Sequence, residues 1–158
     1  MFSIIACIGK NRELGKNGQL IFHLKSDMAF FKNTTSGHKV VMGRKTWQSL
    51  PEKLANRENI VISHQNFKGP DQIISNVDQF INENQDTLEE IFIIGGSQIY
   101  QKFLPFSKKL YLTEVDSEEN AADTFFPPIN QKDYSKEILE KGAENHLKYQ
   151  IIRYNKDI

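Results

Sequence analysis

The chain has a single cysteine, so it can form no internal disulfide. Cys7 lies in an apolar run over 3–8 and reads as a small buried side chain, a usage that suits a reducing cytoplasm. Neither sign of charge is in excess, since 20 Lys and Arg balance 20 Asp and Glu. A neutral surface has no field to gather nucleic acid or an anionic membrane, so any anion it recognises must be held by a local pocket. No apolar run is long enough to span a bilayer. The stretch 1–9 has no basic residue ahead of its apolar part, which argues against a signal peptide. Repeats, low-complexity tracts and domain linkers are also lacking. Asn33-Thr34-Thr35 fits the glycosylation sequon, but nothing else points to secretion and it reads as chance.

What is present is a succession of short apolar runs. They cover 3–8, 40–42, 60–62, 91–94 and 110–113, and continuous β-branched runs of this kind fit strands covered on both faces of a parallel sheet. Helices are expected between them near 25–35, 44–50, 78–85 and 97–104. Leu24, Met28 and Phe31 mark an apolar face on the first, and Phe103-Leu104-Pro105 ends the last. Residues 134–156 read as two strands around a turn at 142–145, a hairpin. The 158 residues suit one domain, 1–158. The expected architecture is α/β: a predominantly parallel, twisted sheet flanked by about four helices, with a C-terminal antiparallel hairpin.

Ligands of such sheets bind beyond the carboxyl ends of the strands. Three segments there suit phosphate. Gly43-Arg44-Lys45-Thr46 follows 40–42 and opens a helix, offering free N–H groups, a hydroxyl and two cations. Ser63-His64-Gln65 follows 60–62 and places a hydroxyl and an imidazole there, and Gly95-Gly96-Ser97 follows 91–94 and opens the helix carrying Tyr100. Each alone is also an ordinary strand-to-helix turn. No G-x-G-x-x-G occurs, which argues against the Rossmann form of dinucleotide binding. Three such ends on one small sheet suit an extended ligand with several phosphates. Arg44, with Lys45 and His64 near and no acid placed to meet a ribose hydroxyl, favours NADPH over NADH.

Asp27 is a second candidate. It shares a helix face with Leu24 and Phe31, about one turn away on either side. Spacing alone leaves two readings open: an acid stabilised by the helix dipole, or a carboxylate lining an apolar pocket with its pKa raised.

The ordered set of segments resembles the dihydrofolate reductase family. It comprises Ser3-Ile4-Ile5-Ala6, Leu14-Gly15, Leu24-x-x-Asp27-Met28-x-x-Phe31, Val41-Met42-Gly43-Arg44-x-Thr46-Trp47-x-Ser49, Arg57-x-Asn59-Ile60-Val61, Ile94-Gly95-Gly96-x-x-x-Tyr100, Tyr111-Leu112-Thr113 and Asp123-Thr124-Phe125-Phe126-Pro127. The resemblance covers nearly the whole chain, and the block from Met42 to Ser49 and the Gly-Gly segment are its most specific parts. It implies reduction of 7,8-dihydrofolate to tetrahydrofolate by hydride from NADPH, in support of one-carbon metabolism. It implies that Asp27 pairs with the pterin, with Thr113 supporting that network and Phe22 close to the reacting ring. Ile5, Ala6, Met28, Phe31, Ser49, Leu50, Leu54, Ile94 and Tyr100 would line the substrate, and Arg57 would hold its glutamate carboxylate. The cofactor would meet Ala6, Cys7, Leu14, Gly15, Leu20, Gly43, Arg44, Lys45, Thr46, Ser63, His64, Ile94, Gly95, Gly96, Ser97, Gln98, Ile99, Tyr100 and Thr124. The family's Gly-Gly bond is cis. A mobile loop from about Gly9 to Leu24 would cover the nicotinamide.

One departure stands out. Ile21-Phe22 occupies the place of the family's usual Pro-Trp, so Phe22 lacks an indole N–H to hold a water and the loop lacks proline's restraint. Lys25 also replaces an often-seen proline. Two rival readings are a same-fold pyrimidine reductase of riboflavin synthesis and an NADPH-binding protein without turnover. Asp27 with Phe31 and Arg57 fits a pterin with a carboxylate tail better than the first, and Thr113 and Tyr100 argue against the second. A cytoplasmic monomer acting on a small molecule, with no metal, is expected.

Overall fold

The computed structural model of the chain describes residues 1–157. In chain order the elements are β1 (Phe2–Ile8), β2 (Glu13–Lys16), β3 (Gln19–Leu20), α1 (Lys25–Thr35), β4 (Lys39–Gly43), α2 (Arg44–Ser49), β5 (Glu58–Ile62) and β6 (Gln72–Ile74). There follow α3 (Val77–Asn84), β7 (Ile91–Gly95), α4 (Ser97–Phe103), β8 (Ser107–Val115), β9 (Thr124–Phe125), β10 (Tyr134–Glu144) and β11 (Leu147–Lys156). One eight-stranded sheet runs β10-β11-β8-β1-β7-β4-β5-β6. Every pairing from β8 across to β6 is parallel. β11 then joins β8 and β10 in antiparallel fashion, giving the hairpin edge.

The apolar runs form these strands because both of their faces are covered. Ile4, Ile93, Leu110 and Leu112 are buried with Phe80 and Ile81 of α3 and with Tyr100 and Phe103 of α4. Their alternates Ile5, Val40, Met42, Phe92 and Tyr111 pack on the other face with Phe30 and Phe31 of α1 and Trp47 of α2. Pro105 stops α4 as expected, and the chain passes through a short 3-10 turn into β8. No helix among the described residues is long and apolar enough to cross a membrane.

The structure differs from the sequence reading in three places. The inward side of α1 runs through Phe30, Phe31 and Thr35, while Met28 is 62% exposed. The hairpin turns at Asn145 and His146, which have φ of 53° and 64°, a pair that suits a tight hairpin turn. Gly142 instead lies within β10 opposite Tyr149, whose hydroxyl would sit 2.6 Å from a Cβ added there. Finally, β2, β3 and β9 form a separate small sheet in the order β3-β2-β9, so the segment from about Gly9 to Leu24, expected as a mobile loop, is partly paired.

Asn59 fixes the chain between α2 and β5. Wholly buried, its side chain accepts from Leu54 N–H (3.1 Å) and donates to the carbonyls of Leu54 and Arg57 (2.9 Å each). Asn59→Ala leaves these groups without their partner and should lower stability by about 2–4 kcal/mol. Urea denaturation checks this, and a loss well under 1 kcal/mol would mean the side chain is not the clamp.

Candidate active site

Asp27 stands in the first turn of α1 and reaches the sheet. The Thr113 hydroxyl donates to its Oδ1 at 2.6 Å, and Oδ2 has no partner among the described residues. Strand alternation explains the meeting. Thr113 lies between Leu112 and Glu114, so it points to the α1 side, and its neighbour across β1 is Cys7. Burial pushes the Asp27 carboxyl above the ordinary carboxylate range, and the Thr113 hydrogen bond pulls it partly back. Burial and the Asp27 charge push the Cys7 thiol up, so Cys7 stays protonated and is no nucleophile at neutral pH.

An apolar cluster adjoins this acid. Ile5, Phe31, Leu50, Leu54 and Ile94 belong to one cluster, together with Phe30, Trp47 and Tyr111. Met28 lies outside it and Ser49 is exposed, its hydroxyl donating to the Thr46 carbonyl at 2.6 Å. The Arg57 guanidinium carbon sits 5.8 Å from the Phe31 ring centroid. Arg57 donates to Thr35 Oγ1 (3.1 Å) and the Ala55 carbonyl (2.9 Å), which leaves further N–H donors of its fork open. A carboxylate, an apolar chamber and a cation thus share one face of the sheet.

The three strand ends singled out by sequence are neighbours. Met42 of β4 pairs with Gly95 of β7, and Gly43 pairs with Ile62 of β5. Gly95-Gly96, Arg44-Lys45-Thr46 and Ser63-His64 therefore emerge side by side. Gly43 and Gly96 are the N-caps of α2 and α4 and offer no side chain to the first-turn N–H groups. The Gly95–Gly96 bond is cis. Space is tight at two of the glycines. A Cβ on Gly95 would come 3.2 Å from the Tyr100 ring, and one on Gly43 would come 3.2 Å from Ile99. The Tyr100 hydroxyl donates to the Ile5 carbonyl at 2.8 Å, tying α4 to β1. Arg44 donates to Gln65 Oε1 at 2.8 Å, and the Gln65 N–H donates to Ser63 Oγ at 3.0 Å. Lys45, His64 and Gln98 are exposed, while Thr46 and Ser97 are half-buried.

Leu14 is buried with Ala6 and Tyr100, and Gly15 pairs with Leu20 on one side and Thr124 on the other. Leu20 is 59% exposed. Phe22 packs with Leu24, Val115, Tyr149 and Ile151, beside Cys7 and Ile21, a cluster separate from the one holding Phe31. Phe30 and Trp47 join the arrangement although neither was singled out as a site residue, and Gln65 of the Ser63-His64-Gln65 segment meets Arg44. Trp47 adjoins the Gly43–Thr46 segment and could have been found there, whereas the Arg44–Gln65 contact leaves no trace in sequence spacing.

With this geometry in view, the chain can be compared with known proteins. A sequence profile described as Dihydrofolate reductase matches residues 1–156. The chain belongs to the dihydrofolate reductase family. It is 38% identical over 150 residues to the dihydrofolate reductase of Haemophilus influenzae, covering 94% of this chain and 92% of that one. Identity is 37% over 144 residues to that of Staphylococcus haemolyticus, covering 90% and 86%, and 35% over 165 residues to that of Bacillus subtilis, covering 99% and 95%.

A cavity of about 730 Å³ lies elsewhere, among Ile8, Leu112, Glu114, Phe126 and Tyr154. Leu112 and Glu114 of its lining alternate with Thr113 and face away from Asp27. Two of its charged groups are partnered, Glu114 by the Tyr154 hydroxyl and Lys10 by Asp116. Asp27, by contrast, keeps an open oxygen beside the apolar cluster.

The raised Asp27 pKa has a signed consequence for stability. The folded chain holds this proton more tightly than the unfolded chain, so Asp27 lowers stability as pH climbs from the ordinary carboxylate range to the raised value. Thr113→Val removes the hydrogen bond that opposes the rise. Stability of the variant should fall more steeply than wild type between pH 4 and pH 7, as measured by urea unfolding at both. Parallel curves would show that the Thr113 contact does not set the acid's pKa.

Proposed function

We propose that this chain reduces 7,8-dihydrofolate to tetrahydrofolate with NADPH, using Asp27, Thr113, the Phe31 chamber and Arg57 as the substrate site. The observation that carries the reading is the half-buried Asp27 carboxylate, with Oδ1 held by Thr113 and Oδ2 open. A carboxylate so arranged can accept from both the ring N–H and the exocyclic amino group of a pterin. Its negative charge then favours a protonated ring. The same pairing puts Asp27 at the ring edge far from the nitrogen that takes the proton, so water carries that proton. Ile5, Phe31, Leu50, Leu54 and Ile94 exclude solvent from the rings, and the open N–H groups of Arg57 suit a bidentate grip on the glutamate carboxylate.

The residues present also fit the cofactor. Adjacent strand ends with uncapped N–H groups, glycines where a Cβ would crowd Tyr100 and Ile99, and the cations Arg44, Lys45 and His64 make a cradle for an extended polyanion. When bound, NADPH supplies the hydride. Gly43–Thr46, Ser63 and His64 would hold its phosphates and adenosine half. Gly95–Tyr100, Ala6, Cys7, Leu14, Gly15, Leu20 and Thr124 would surround the rest. Phe22 fills space beside Cys7. We also read residues 1–158 as one domain, a monomer in a reducing cytoplasm, on the single free thiol and the balanced charge.

NADPH oxidation measured with and without dihydrofolate tests the whole reading, and a rate that ignores the substrate would sink it. Arg44→Ala should raise the KM for NADPH by the equivalent of about 1.5–3 kcal/mol and leave that for NADH nearly unchanged. Equal losses with both cofactors would mean Arg44 does not read the 2′-phosphate. Asp27→Asn should slow hydride transfer by orders of magnitude at neutral pH, each tenfold being about 1.4 kcal/mol of barrier. It should recover much of the rate at acid pH, where substrate is protonated in solution. Stopped-flow kinetics across pH checks both arms, and a folded, NADPH-binding variant with wild-type rate at neutral pH refutes the role of Asp27.

A further inference from the structure

Glu13 is the only charged residue buried among the described residues, with 1% of its surface exposed, and the mechanism above makes no use of it. No salt bridge compensates it among the described residues. Its carboxylate is instead held by main-chain donors on two loops. Asn11 N–H donates to Oε1 at 2.6 Å, within its own turn, and Glu119 N–H donates to Oε2 at 2.7 Å from the segment after β8. Gly9 makes room, since a Cβ there would come 2.6 Å from Oε1. The charged groups nearby are otherwise engaged. Lys10 pairs with Asp116 at 3.0 Å, and the Glu119 carboxylate accepts from Ala121 N–H at 3.0 Å. Burial alone would push the Glu13 carboxyl up, but the backbone N–H groups outweigh it and hold it below the ordinary range, so it stays ionised at neutral pH.

Main-chain contacts surround this acid. Lys10 N–H donates to the Ser117 carbonyl at 2.9 Å, Phe126 N–H to Arg12 at 2.8 Å and Asp123 N–H to Gly15 at 3.0 Å. Hydrogen bonds to an ionised acceptor are about twice as strong as neutral ones, so the buried Glu13 carboxylate is a stronger tie than these main-chain contacts and stands beside the exposed Asp123 carboxylate, which accepts from Asn17 N–H at 2.8 Å. Leu14 and Gly15 follow it directly. We propose that Glu13 is a positioning residue for hydride transfer: its carboxylate fastens the segment carrying Leu14 and Gly15 to the segment 117–126, and thereby fixes both residues beside the strand ends. This deepens the functional reading above and rests on it.

Glu13→Ala removes both acceptors. Glu13→Gln keeps the shape and one acceptor, and serves in its place should the alanine variant fail to fold. In Glu13→Ala, amide hydrogen exchange in 10–20 and 117–126 should speed by about tenfold or more while β4 and β5 are unchanged. NADPH should bind several-fold more weakly and hydride transfer fall by about tenfold in single turnovers, with the KM for dihydrofolate within about twofold. Glu13→Gln should recover part of each loss. A merely structural role predicts instead that exchange rises throughout and all parameters fall together, and that pattern overturns the proposal. So does unchanged exchange in the two segments, or faster exchange with NADPH affinity and hydride transfer intact. A wild type that does not oxidise NADPH with dihydrofolate sinks the functional reading, and the exchange and NADPH-binding measurements still decide whether Glu13 holds the loop.

Discussion

The parallel pairing of β1 on both sides governs everything else in this molecule. A strand flanked by parallel neighbours needs long crossovers, and here these are the segments that contain the helices. With both faces covered, each residue of β1 is committed to one of two chambers. Ile5 and Cys7 face α1, where Asp27 waits, while Ile4, Ala6 and Ile8 face α3 and α4. Parallel strands also end at a common edge. Gly43, Ile62 and Gly95 are therefore neighbours by register, although they are far apart in sequence. The proposed substrate site uses a face of the sheet and the proposed cofactor site its edge, and the Tyr100 hydrogen bond to the Ile5 carbonyl ties α4, which begins at that edge, to β1.

That frame was legible in the sequence because it is repetitive. Continuous runs such as Ile91-Phe92-Ile93-Ile94 state that both faces are dry, and the glycines that follow mark the ends. The small sheet was not legible. Its strands are two to four residues long, and β3 and β9 are exposed, so no period survives to be read. Met28 misled because helix spacing gives the side of a helix but not how far round that side the cover extends. Gly142 misled for a related reason: glycine signals a turn or a close approach, and here the crowding Tyr149 made it the second. Phe31 was legible from helix spacing, whereas Arg57 was singled out only through likeness to a family, since an arginine after a loop carries no pattern of its own.

The acids show most plainly how position assigns a role to one chemical group. Asp71 is exposed, and Lys53 and the Asn59 N–H hold its carboxyl below the ordinary range. Glu13 is buried, but backbone donors reach each of its oxygens and the charge is settled in place. Asp27 lies between these cases. It is buried enough to be raised, and it is given a single hydroxyl donor that satisfies one oxygen and leaves the other open. A fully satisfied carboxylate has nothing to offer a ligand, and a fully exposed one is content with water. Only the partly desolvated, partly satisfied acid gains by accepting an incoming N–H pair, because the ligand completes what the fold leaves unfinished. By that reasoning Glu13, saturated by its own chain, fastens backbone to backbone, and Asp27, which is not saturated, is the acid we propose for a ligand.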